Sequence, residues 1–284
     1  MLIPTDLTGA AAGDICGITM RILFSKWQGT GNDFVLVDDR DGRYAGVGAQ
    51  AARVLCDRHF GIGADGLILV RPPQGPGMAF HMDFHNPDGS QSFCGNGSRC
   101  AFAFWLQVSG RSIGADERIG FTAVDGAHMA KSLPDGWVAV AMRPPVQGER
   151  ITDSADHWHT GSPHVVQWVS DPEVVDVVGM GRAVRQDERF APGGVNVNFV
   201  AIENGVLHMR TYERGVEDET LSCGTGVTAA AWSAWERGHV SGERVEVRTR
   251  GGDLVVELHG SGTTREAWLC GPAREVFNGD MLLP

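Results

Sequence analysis

The chain has 284 residues, with 24 Lys and Arg against 35 Asp and Glu and a formal net charge of -11 at pH 7. This acidic balance argues against nucleic acid as a partner, because phosphate contacts need a basic surface. Hydrophobic residues make up 42% of the chain, and no apolar run reaches about 18 residues. We therefore expect one large or two smaller folded domains and no membrane association.

The first residues of the chain do not have the features of a signal peptide. Residues 1–19 lack a basic segment followed by an apolar one, and they contain Asp6 and Asp14. We predict that residues 1–19 are a disordered extension and that the first strand opens near Met20. The six cysteines form no Cys-x-x-Cys pair, which disfavours a disulfide scaffold and a zinc site. We expect reduced thiols, a cytoplasmic location and no metal.

Short apolar runs in the first half predict strands at 20–24, 34–37 and 67–70, with a helix over 49–58. Residues 61–66 (GIGADG) have the spacing of the dinucleotide-binding fingerprint. That fingerprint needs a strand before it and a helix after it, whereas here the order is reversed. We therefore interpret the segment as a glycine-rich turn.

The second half is dominated by short predicted strands. These strands lie at 137–142, 165–169, 197–202, 207–212, 245–248 and 254–258. The two strongest helices are predicted to begin directly after Cys94 and Cys223. Pro144 and Pro145 mark the predicted boundary between the two halves of the chain.

An internal repeat is the most informative feature. The run from Met82 passes through a polar loop to residues 94–97 (CGNG), and the run from Met209 passes through a polar loop to residues 223–226 (CGTG). Both lead into alanine-rich helices. Upstream, residues 32–35 (NDFV) are similarly matched by residues 197–200 (VNFV). A single repeat of about 130 residues, far longer than solenoid repeats, implies two homologous halves that face each other.

Each Cys-Gly-x-Gly turn would place a thiol at a helix N-terminus, where free N–H groups and the helix dipole favour negative charge. We expect this position to lower the thiol pKa and to let the same turn bind a carboxylate. If the halves face each other, Cys94 and Cys223 would flank the α-carbon of a bound amino acid. Inversion of that carbon needs one base and one acid on opposite faces, which this pair can supply. The other cysteines (Cys16, Cys56, Cys100 and Cys270) are interpreted as buried, structural thiols.

The residues resemble the diaminopimelate epimerase family, whose members interconvert LL- and meso-2,6-diaminopimelate without a cofactor in lysine and cell-wall precursor synthesis. The similarity runs from about residue 20 to residue 284. It is carried by ordered motifs: residues 29–34 (GTGNDF), 57–66 (DRHFGIGADG), 86–90 (NPDGS), 94–100 (CGNGSRC), 161–164 (GSPH), 196–199 (NVNF), 212–215 (YERG) and 223–226 (CGTG).

The resemblance implies roles for individual residues. Cys94 and Cys223 match the acid/base pair. Matches to the turns that bind the reacting carboxylate are Gly95, Asn96, Gly224 and Thr225. Matches to residues that recognise the distal end of the substrate are Asn32, Asn86, Asn196, Glu213 and Arg214. His164 matches a histidine near the reacting centre, where it either tunes a thiol or makes a structural hydrogen bond.

The chain departs from the family pattern at two substrate-contact positions. Ser162 stands where many members have asparagine, so we expect one substrate contact to be shortened or taken by water. Gly66 stands where many have glutamine, which removes another polar contact. Both departures concern substrate selectivity, and neither affects the thiols.

The resemblance also implies an α/β (α+β-like) fold of two pseudo-symmetric domains, each a mixed, curved sheet around a central helix, with the active site in the cleft between them. We expect residues 20–143 with 271–284 to form the domain that carries Cys94, and residues 144–270 the domain that carries Cys223. A homodimer is implied by the family alone. The alternatives are a racemase of the same fold acting on proline, hydroxyproline or histidine, and a thiol-based redox or metal-responsive binding protein.

Overall fold

Seventeen strands and four α-helices occur in the computed structural model, which describes residues 20–114, 116–143, 145–260 and 265–283. The predicted extension at residues 1–19 and Pro144 of the predicted boundary lie outside the described residues. The domain limits therefore stay a prediction.

The elements follow one another with short connections. The strands are β1 (Met20–Gly29), β2 (Asn32–Asp38), β3 (Gly66–Arg71), β4 (Met78–His85), β5 (Ile119–Ala123), β6 (Gly126–Ser132), β7 (Val138–Met142), β8 (Val146–Thr152), β9 (Ala155–His159), β10 (Pro163–Trp168), β11 (Asn196–Glu203), β12 (Val206–Glu213), β13 (Asp218–Thr220), β14 (Arg244–Thr249), β15 (Gly252–His259), β16 (Glu266–Gly271) and β17 (Arg274–Leu283). The helices are α1 (Ala49–Leu55), α2 (Gly95–Ser109), α3 (Val177–Arg185) and α4 (Gly224–Glu236), with 3-10 helices at Pro172–Val174 and Glu188–Phe190.

Strand pairing repeats almost identically in the two halves. The first half pairs in the order β17–β1–β2–β3–β4–β5–β6–β7, with the β2–β3 and β4–β5 pairs parallel and the others antiparallel. The second half pairs in the order β8–β9–β10–β11–β12–β14–β15–β16, with the β10–β11 and β12–β14 pairs parallel. The small strand β13 adds to β12. This repetition is the pseudo-symmetry that the resemblance implies.

The halves join through strands β7 and β16. These strands pair antiparallel, with Val140 opposite Leu269, and so connect the two sheets into one. At the other end of the first half, the last strand β17 pairs with the first strand β1 from Met20 onward. The chain end therefore completes the sheet of the first half.

Of the two matches that define the internal repeat, the one around the cysteine turns is confirmed and the upstream one is wrong. Strands β4 and β12 occupy equivalent positions and each leads to a central helix, as the repeat predicts. Residues 32–35 lie in β2 and residues 197–200 in β11, whereas the pairing makes β10 the equivalent of β2. A four-residue apolar strand pattern recurs in many strands of a sheet, so it does not identify equivalent strands.

Each central helix has its own hydrophobic core. Helix α2 packs among aromatic and aliphatic side chains of the first half, including Phe34, Phe80 and Trp105. Helix α4 packs in a separate cluster with Trp232 and Val256. This mixed α/β architecture, with a large curved sheet and few helices, confirms the predicted fold class. None of the helices in the described residues has the length and apolar character needed to cross a bilayer.

The glycine-rich turn follows a helix and precedes a strand, as predicted. Helix α1 ends at Leu55, three residues before the predicted end. The Asp57 carboxylate accepts hydrogen bonds from the backbone N–H groups of His59 and Phe60, at 2.7 and 2.8 Å, and so fixes the turn. A Cβ at Gly61 would lie 2.1 Å from the Val54 carbonyl oxygen, so the chain needs glycine to leave the helix here.

Candidate active site

The cysteines of the two Cys-Gly-x-Gly turns occupy the same place in their halves. Cys94 and Cys223 are the N-cap residues of helices α2 and α4, with similar extended backbone angles of φ -130°, ψ 110° and φ -117°, ψ 110°. The Sγ of Cys94 accepts a hydrogen bond from the Gly97 N–H at 3.3 Å. Each thiol therefore lies beside the free N–H groups of a helix N-terminus.

The two helix N-termini meet. The Asn96 Nδ2 donates to the Ser222 carbonyl at 3.1 Å, and a Cβ built on Gly224 would lie 3.3 Å from the Asn96 Oδ1. Leu269, on the strand that joins the halves, lies against both turns: a Cβ on Gly95 or Gly224 would be 3.1 or 2.8 Å from its Cδ2. Glycine at these positions allows the two backbones to approach.

Both thiols have pKa values above the ordinary value for cysteine. Burial raises the pKa of Cys94 to about 11, although the Gly97 N–H acts in the opposite direction. Burial also raises the pKa of Cys223, the negative charge of Glu213 raises it further, and ionisation of Cys94 would act in the same direction. The helix N-terminal N–H groups do lower these pKa values, but the loss of hydration outweighs them, so the net shift of each thiol pKa is upward and not the predicted fall.

Asn32 is directed toward Cys94 by a fixed hydrogen-bond network. Its Nδ2 donates to the Asp65 carboxylate at 2.7 Å, which leaves its Oδ1 facing the site. That Oδ1 lies 3.6 Å from the Cys94 Sγ and 3.5 Å from the Asn96 Nδ2. Asp65 therefore sets which end of the Asn32 amide faces the thiol.

His164 is fully buried, and its tautomer follows from its neighbours. The Asn198 Nδ2 donates to the Val165 carbonyl at 3.2 Å and lies 3.1 Å from the His164 Nδ1, while its Oδ1 accepts from the Thr211 hydroxyl. The His164 Nδ1 is therefore an acceptor, and its hydrogen is on Nε2. Burial lowers the pKa of His164 to about 3, so the ring is neutral.

The neutral His164 is linked to Cys223 by hydrogen bonds through the Thr225 hydroxyl. The His164 Nε2 lies 2.9 Å from the Thr225 Oγ1, which in turn lies 3.5 Å from the Cys223 Sγ. Because Nε2–H donates to this hydroxyl, the hydroxyl hydrogen is left to donate to the sulfur. Thr160 holds the same turn by donating to the Thr225 carbonyl at 2.8 Å.

Asn196 connects two other predicted residues. Its Nδ2 donates to the Ser162 hydroxyl at 2.7 Å and to the Pro163 carbonyl at 3.0 Å, and its Oδ1 accepts from the Arg214 backbone N–H at 2.9 Å. The serine that replaces asparagine at position 162 is therefore a hydrogen-bond acceptor for Asn196.

The end of strand β12 carries an anion and a cation next to each other. The Glu213 carboxylate accepts from the Thr220 hydroxyl at 2.7 Å, and burial raises its pKa. The charge of Glu213 also raises the pKa of both thiols, so it lies in their neighbourhood. The Arg214 guanidinium donates to the Gly193 carbonyl at 3.3 Å and forms no ion pair with a described carboxylate.

Comparison with known proteins identifies the family of the chain. The family model of diaminopimelate epimerase matches residues 24–123 and 158–276. The diaminopimelate epimerase of Aquifex aeolicus is 41% identical over 273 residues, which cover 90% of this chain and 96% of that protein. The chain belongs to the diaminopimelate epimerase family. It is therefore an isomerase of the racemase and epimerase class.

Solved structures share the fold of this diaminopimelate epimerase family member. A phenazine biosynthesis protein of the PhzF family from Bacillus anthracis aligns with a TM-score of 0.72 and 13% identity, covering 93% of this chain and all of that one (100%). A probable proline racemase from Agrobacterium radiobacter K84 aligns with a TM-score of 0.71 and 16% identity, covering 93% of each chain. At these identities the likeness shows the fold alone.

Asn86 is the predicted residue of the epimerase site that the structure does not join to the others. Its Nδ2 donates to the hydroxyls of Ser90 and Ser92, at 3.0 and 3.2 Å, within its own loop. Its role as a substrate ligand stays a prediction.

The glycine at position 66, a departure from the epimerase family pattern, has a packing explanation. A Cβ on Gly66 would lie 2.3 Å from the Phe84 ring, which itself packs edge-on against Phe34 at a centroid distance of 6.0 Å. The Phe84 ring thus occupies the space that a larger residue at position 66 would need.

Several residues of the epimerase site escaped the sequence analysis. Asn198, Thr211 and Asp65 orient site residues through side-chain hydrogen bonds, and Leu269 packs against both turns. Asn198 and Asp65 lie within the motifs that carry the family resemblance, but a motif does not indicate which side chains are hydrogen-bonded to each other. In the described residues, no cluster of three or more His, Cys, Asp or Glu could hold a metal ion.

Proposed function

We propose that this protein interconverts LL- and meso-2,6-diaminopimelate, without a cofactor, by proton transfer to and from Cys94 and Cys223. The observation that carries the proposal is the approach of the two cysteine-capped helix N-termini, where the Asn96 side chain of one turn donates to the carbonyl of Ser222, next to Cys223 of the other. Inversion of an α-carbon requires a base on one face and an acid on the opposite face. Two facing thiols supply both groups.

The two turns form an anion site for the reacting carboxylate. The N–H groups of Gly95 and Asn96 on one helix, and of Gly224 and Thr225 on the other, are free of intrahelical partners. An α-C–H is a weaker acid than a thiol by about ten pK units, or roughly 14 kcal/mol. Hydrogen bonds from two helix N-termini narrow this gap by stabilising the carboxylate as it becomes an enediolate.

The proton transfers balance without a redox partner. One thiolate takes the α-hydrogen as a proton, and the electron pair of the C–H bond moves into the carboxylate. The other thiol gives its proton to the opposite face of the carbon and becomes the thiolate. Cys94 and Cys223 thus exchange protonation states, and exchange with solvent restores the starting state.

Substrate binding supplies a positive charge that stabilises a thiolate. Burial keeps both thiols protonated in the free protein at neutral pH, since it raises the pKa of Cys94 to about 11 and also that of Cys223. The substrate's α-ammonium brings a positive charge beside them, which favours ionisation of one thiol. The resemblance matches Glu213 to the distal end of the substrate, but its charge acts on both thiols, so we assign it to this α-ammonium instead.

Arg214 supports a substrate with a second charged end. Its guanidinium has no carboxylate partner among the described residues, so it is available to fork the distal carboxylate of diaminopimelate. Asn196 and Asn32 offer amide groups for the distal ammonium. Proline and hydroxyproline have no second carboxylate or ammonium to engage these groups.

A substrate panel tests the proposal. We expect chiral chromatography to show conversion of LL-diaminopimelate to the meso isomer, with no added pyridoxal phosphate or metal, and no racemisation of L-proline, trans-4-hydroxy-L-proline or L-histidine. Cys94→Ala and Cys223→Ala should each abolish turnover, because both groups are required. Cys56→Ala, at a structural thiol, is the matched control and should retain it.

The panel also separates the alternatives. Racemisation of proline, hydroxyproline or histidine, with diaminopimelate inert, would favour a different racemase of the same fold. No turnover of any amino acid, together with metal or oxidant binding that depends on both Cys94 and Cys223, would favour a redox or metal-responsive protein.

The cellular setting is part of the same proposal. Diaminopimelate is a precursor for lysine and for the bacterial cell wall, so we place the reaction in that biosynthesis. The five described cysteines are unpaired, which supports a reducing, cytoplasmic location. Cell fractionation tests it: recovery outside the cytoplasm would contradict this part of the proposal.

We also propose a homodimer that forms through the outer edge of strand β17. Among the described strands, β17 pairs only with β1, and seven consecutive residues from Arg274 to Asp280 are exposed. Val276 and Phe277 are 58% and 47% exposed, and an uncovered apolar edge is a template for pairing with a second copy. Sedimentation should give a dimer that Phe277→Lys weakens; a monomeric parent protein would overturn this.

A further inference from the structure

Arg99 is a fully buried arginine without a carboxylate partner among the described residues. It lies in the second turn of helix α2, behind Cys94, and is 0% exposed. Its Nη2 donates to the Thr30 hydroxyl at 3.1 Å, and its Nε donates to the Pro272 carbonyl at 3.4 Å. Both acceptors are neutral, so no carboxylate among the described residues balances the positive charge of the guanidinium.

Other well-buried arginines of the described chain do not share this property. Arg71, Arg210 and Arg237, whose side chains are 16%, 12% and 9% exposed, each form an ion pair with a carboxylate. A guanidinium cannot give up its proton in a protein, so Arg99 stays positive. Burial of an unpaired charge costs several kcal/mol, on the order of a large part of a domain's stability. Fold stability therefore does not explain Arg99.

The fold builds a place for this guanidinium. A Cβ on Gly29 would lie 3.1 Å from the Arg99 Nη2, and a Cβ on Gly271 would lie 3.3 Å from both its Cζ and its Nε. Glycine at both positions leaves room for the planar group between strands β1 and β16.

The guanidinium also faces the contact between the two halves. The Thr30 hydroxyl that accepts from Arg99 donates in turn to the Ser222 hydroxyl at 3.2 Å, next to Cys223. On the other side, the charge of Arg99 lowers the pKa of Cys94 and so partly opposes the effect of burial.

We propose that Arg99 is a positioning residue whose permanent positive charge favours anions at the Cys94 turn, both the Cys94 thiolate and a carboxylate bound across the two helix N-termini. The inference rests on the proposed function, since it takes Cys94 as a base. Arg99 does not touch the substrate and acts through the turn that it supports.

The test compares Arg99→Met, which removes the charge and keeps the length of the side chain, with Arg99→Lys, which keeps the charge. The rate of alkylation by iodoacetamide is measured at each cysteine by mass spectrometry at pH 8, where the protein is folded and the rate is proportional to the thiolate fraction. We expect Arg99→Met to slow alkylation of Cys94 about tenfold, which corresponds to a rise of about one unit in its pKa. Arg99→Lys should leave the rate within about twofold, and the rate at Cys223 should change less than the rate at Cys94.

Three results would overturn the inference: an unchanged rate of Cys94 alkylation in folded Arg99→Met, an equal fall in rate in Arg99→Lys, or an equal fall in rate at Cys223. Thermal unfolding checks that each variant is folded. If Arg99→Met does not fold, Arg99→Gln, which keeps donors toward Thr30, provides the same comparison. The alkylation measurement needs no turnover, so an inactive parent protein would contradict the proposed function and leave this test readable.

Discussion

At the scale of single residues, the site keeps its two thiols neutral and gives each one a different kind of hydrogen-bond partner. Cys94 faces an amide oxygen of Asn32, which accepts hydrogen bonds, whereas Cys223 faces the Thr225 hydroxyl, which is free to donate. A donor stabilises a thiolate and an acceptor stabilises a thiol. The pseudo-symmetry of the fold therefore does not extend to the hydrogen bonds of the two sulfurs.

Asn198→Leu tests the donor side. The variant removes the Nδ2 that fixes the His164 tautomer, so Thr225 loses its fixed orientation toward Cys223. The loss of one buried hydrogen bond should raise the activation free energy by about 1 kcal/mol. We therefore expect roughly a fivefold to tenfold fall in kcat. The rate at which iodoacetamide alkylates Cys223 at pH 8 should fall.

Cys94 serves as the internal control in that experiment, since no hydrogen bond joins it to Asn198. An equal change in the alkylation rate of both cysteines would point to a loosened fold and would contradict this interpretation of the network. Unchanged alkylation of Cys223 would contradict it as well.

At the scale of elements, the two central helices begin with the same sequence pattern but tolerate different residues. Gly97 and Gly226 are the second glycines of the two turns. A Cβ on Gly226 would lie 2.5 Å from the Asn198 Oδ1 and 3.3 Å from the His164 Cε1. A Cβ on Gly97 would meet its nearest neighbour, the Ile68 Cδ1, at 3.2 Å. Helix α4 therefore approaches Asn198 more closely than helix α2 approaches its core.

Gly226→Ala and Gly97→Ala form a matched pair. We expect Gly226→Ala to displace Asn198, lower the free energy of unfolding by about 1–3 kcal/mol and reduce kcat at least tenfold. In Gly97→Ala the gain in helix propensity, up to about 1 kcal/mol, offsets a mild contact, so stability should stay within about 1 kcal/mol. Urea unfolding and turnover measure both, and equal losses in the two variants would contradict the difference in packing.

The sequence predicted the positions of these strands and helices better than the hydrogen bonds and pKa values of the site residues. The strands from Phe34, Leu67 and Val245, and the helices after Cys94 and Cys223, follow from local apolar patterns and are present. The facing of the two turns follows from the repeat. The hydrogen bonds of Asn198 and the raised thiol pKa values do not, because they depend on burial by residues distant in the chain.

At the scale of the whole molecule, burial of thiols links stability to pH. Burial raises the pKa of Cys56, Cys100 and Cys270 to about 12, and that of Cys94 to about 11. In the unfolded chain these thiols ionise near pH 8.5. As the pH rises, the unfolded state therefore loses protons first, and the stability that is fully present below about pH 8.5 is lost as the pH approaches 11–12.

We expect the free energy of unfolding to fall above about pH 9, by on the order of 1 kcal/mol per buried thiol per pH unit. The chain has two lysines (Lys26 and Lys131) and two tyrosines, so few other groups titrate in this window. Urea titrations at pH 7.5, 9 and 10 measure the slope, and Cys270→Ala should make it shallower. A free energy that stays constant across this range would contradict the prediction.

The central claim is that two different sulfurs serve the two faces of one carbon, and deuterium tests it most directly. LL-diaminopimelate is incubated with the protein in D2O, and the α-hydrogens are followed by NMR during the first few per cent of conversion. One sulfur removes the original proton and the other delivers a solvent deuteron. We predict deuterium at the inverted carbon of the meso product while unreacted substrate keeps its protium. Meso product that retains the original protium, or the absence of any exchange, would contradict the two-base account.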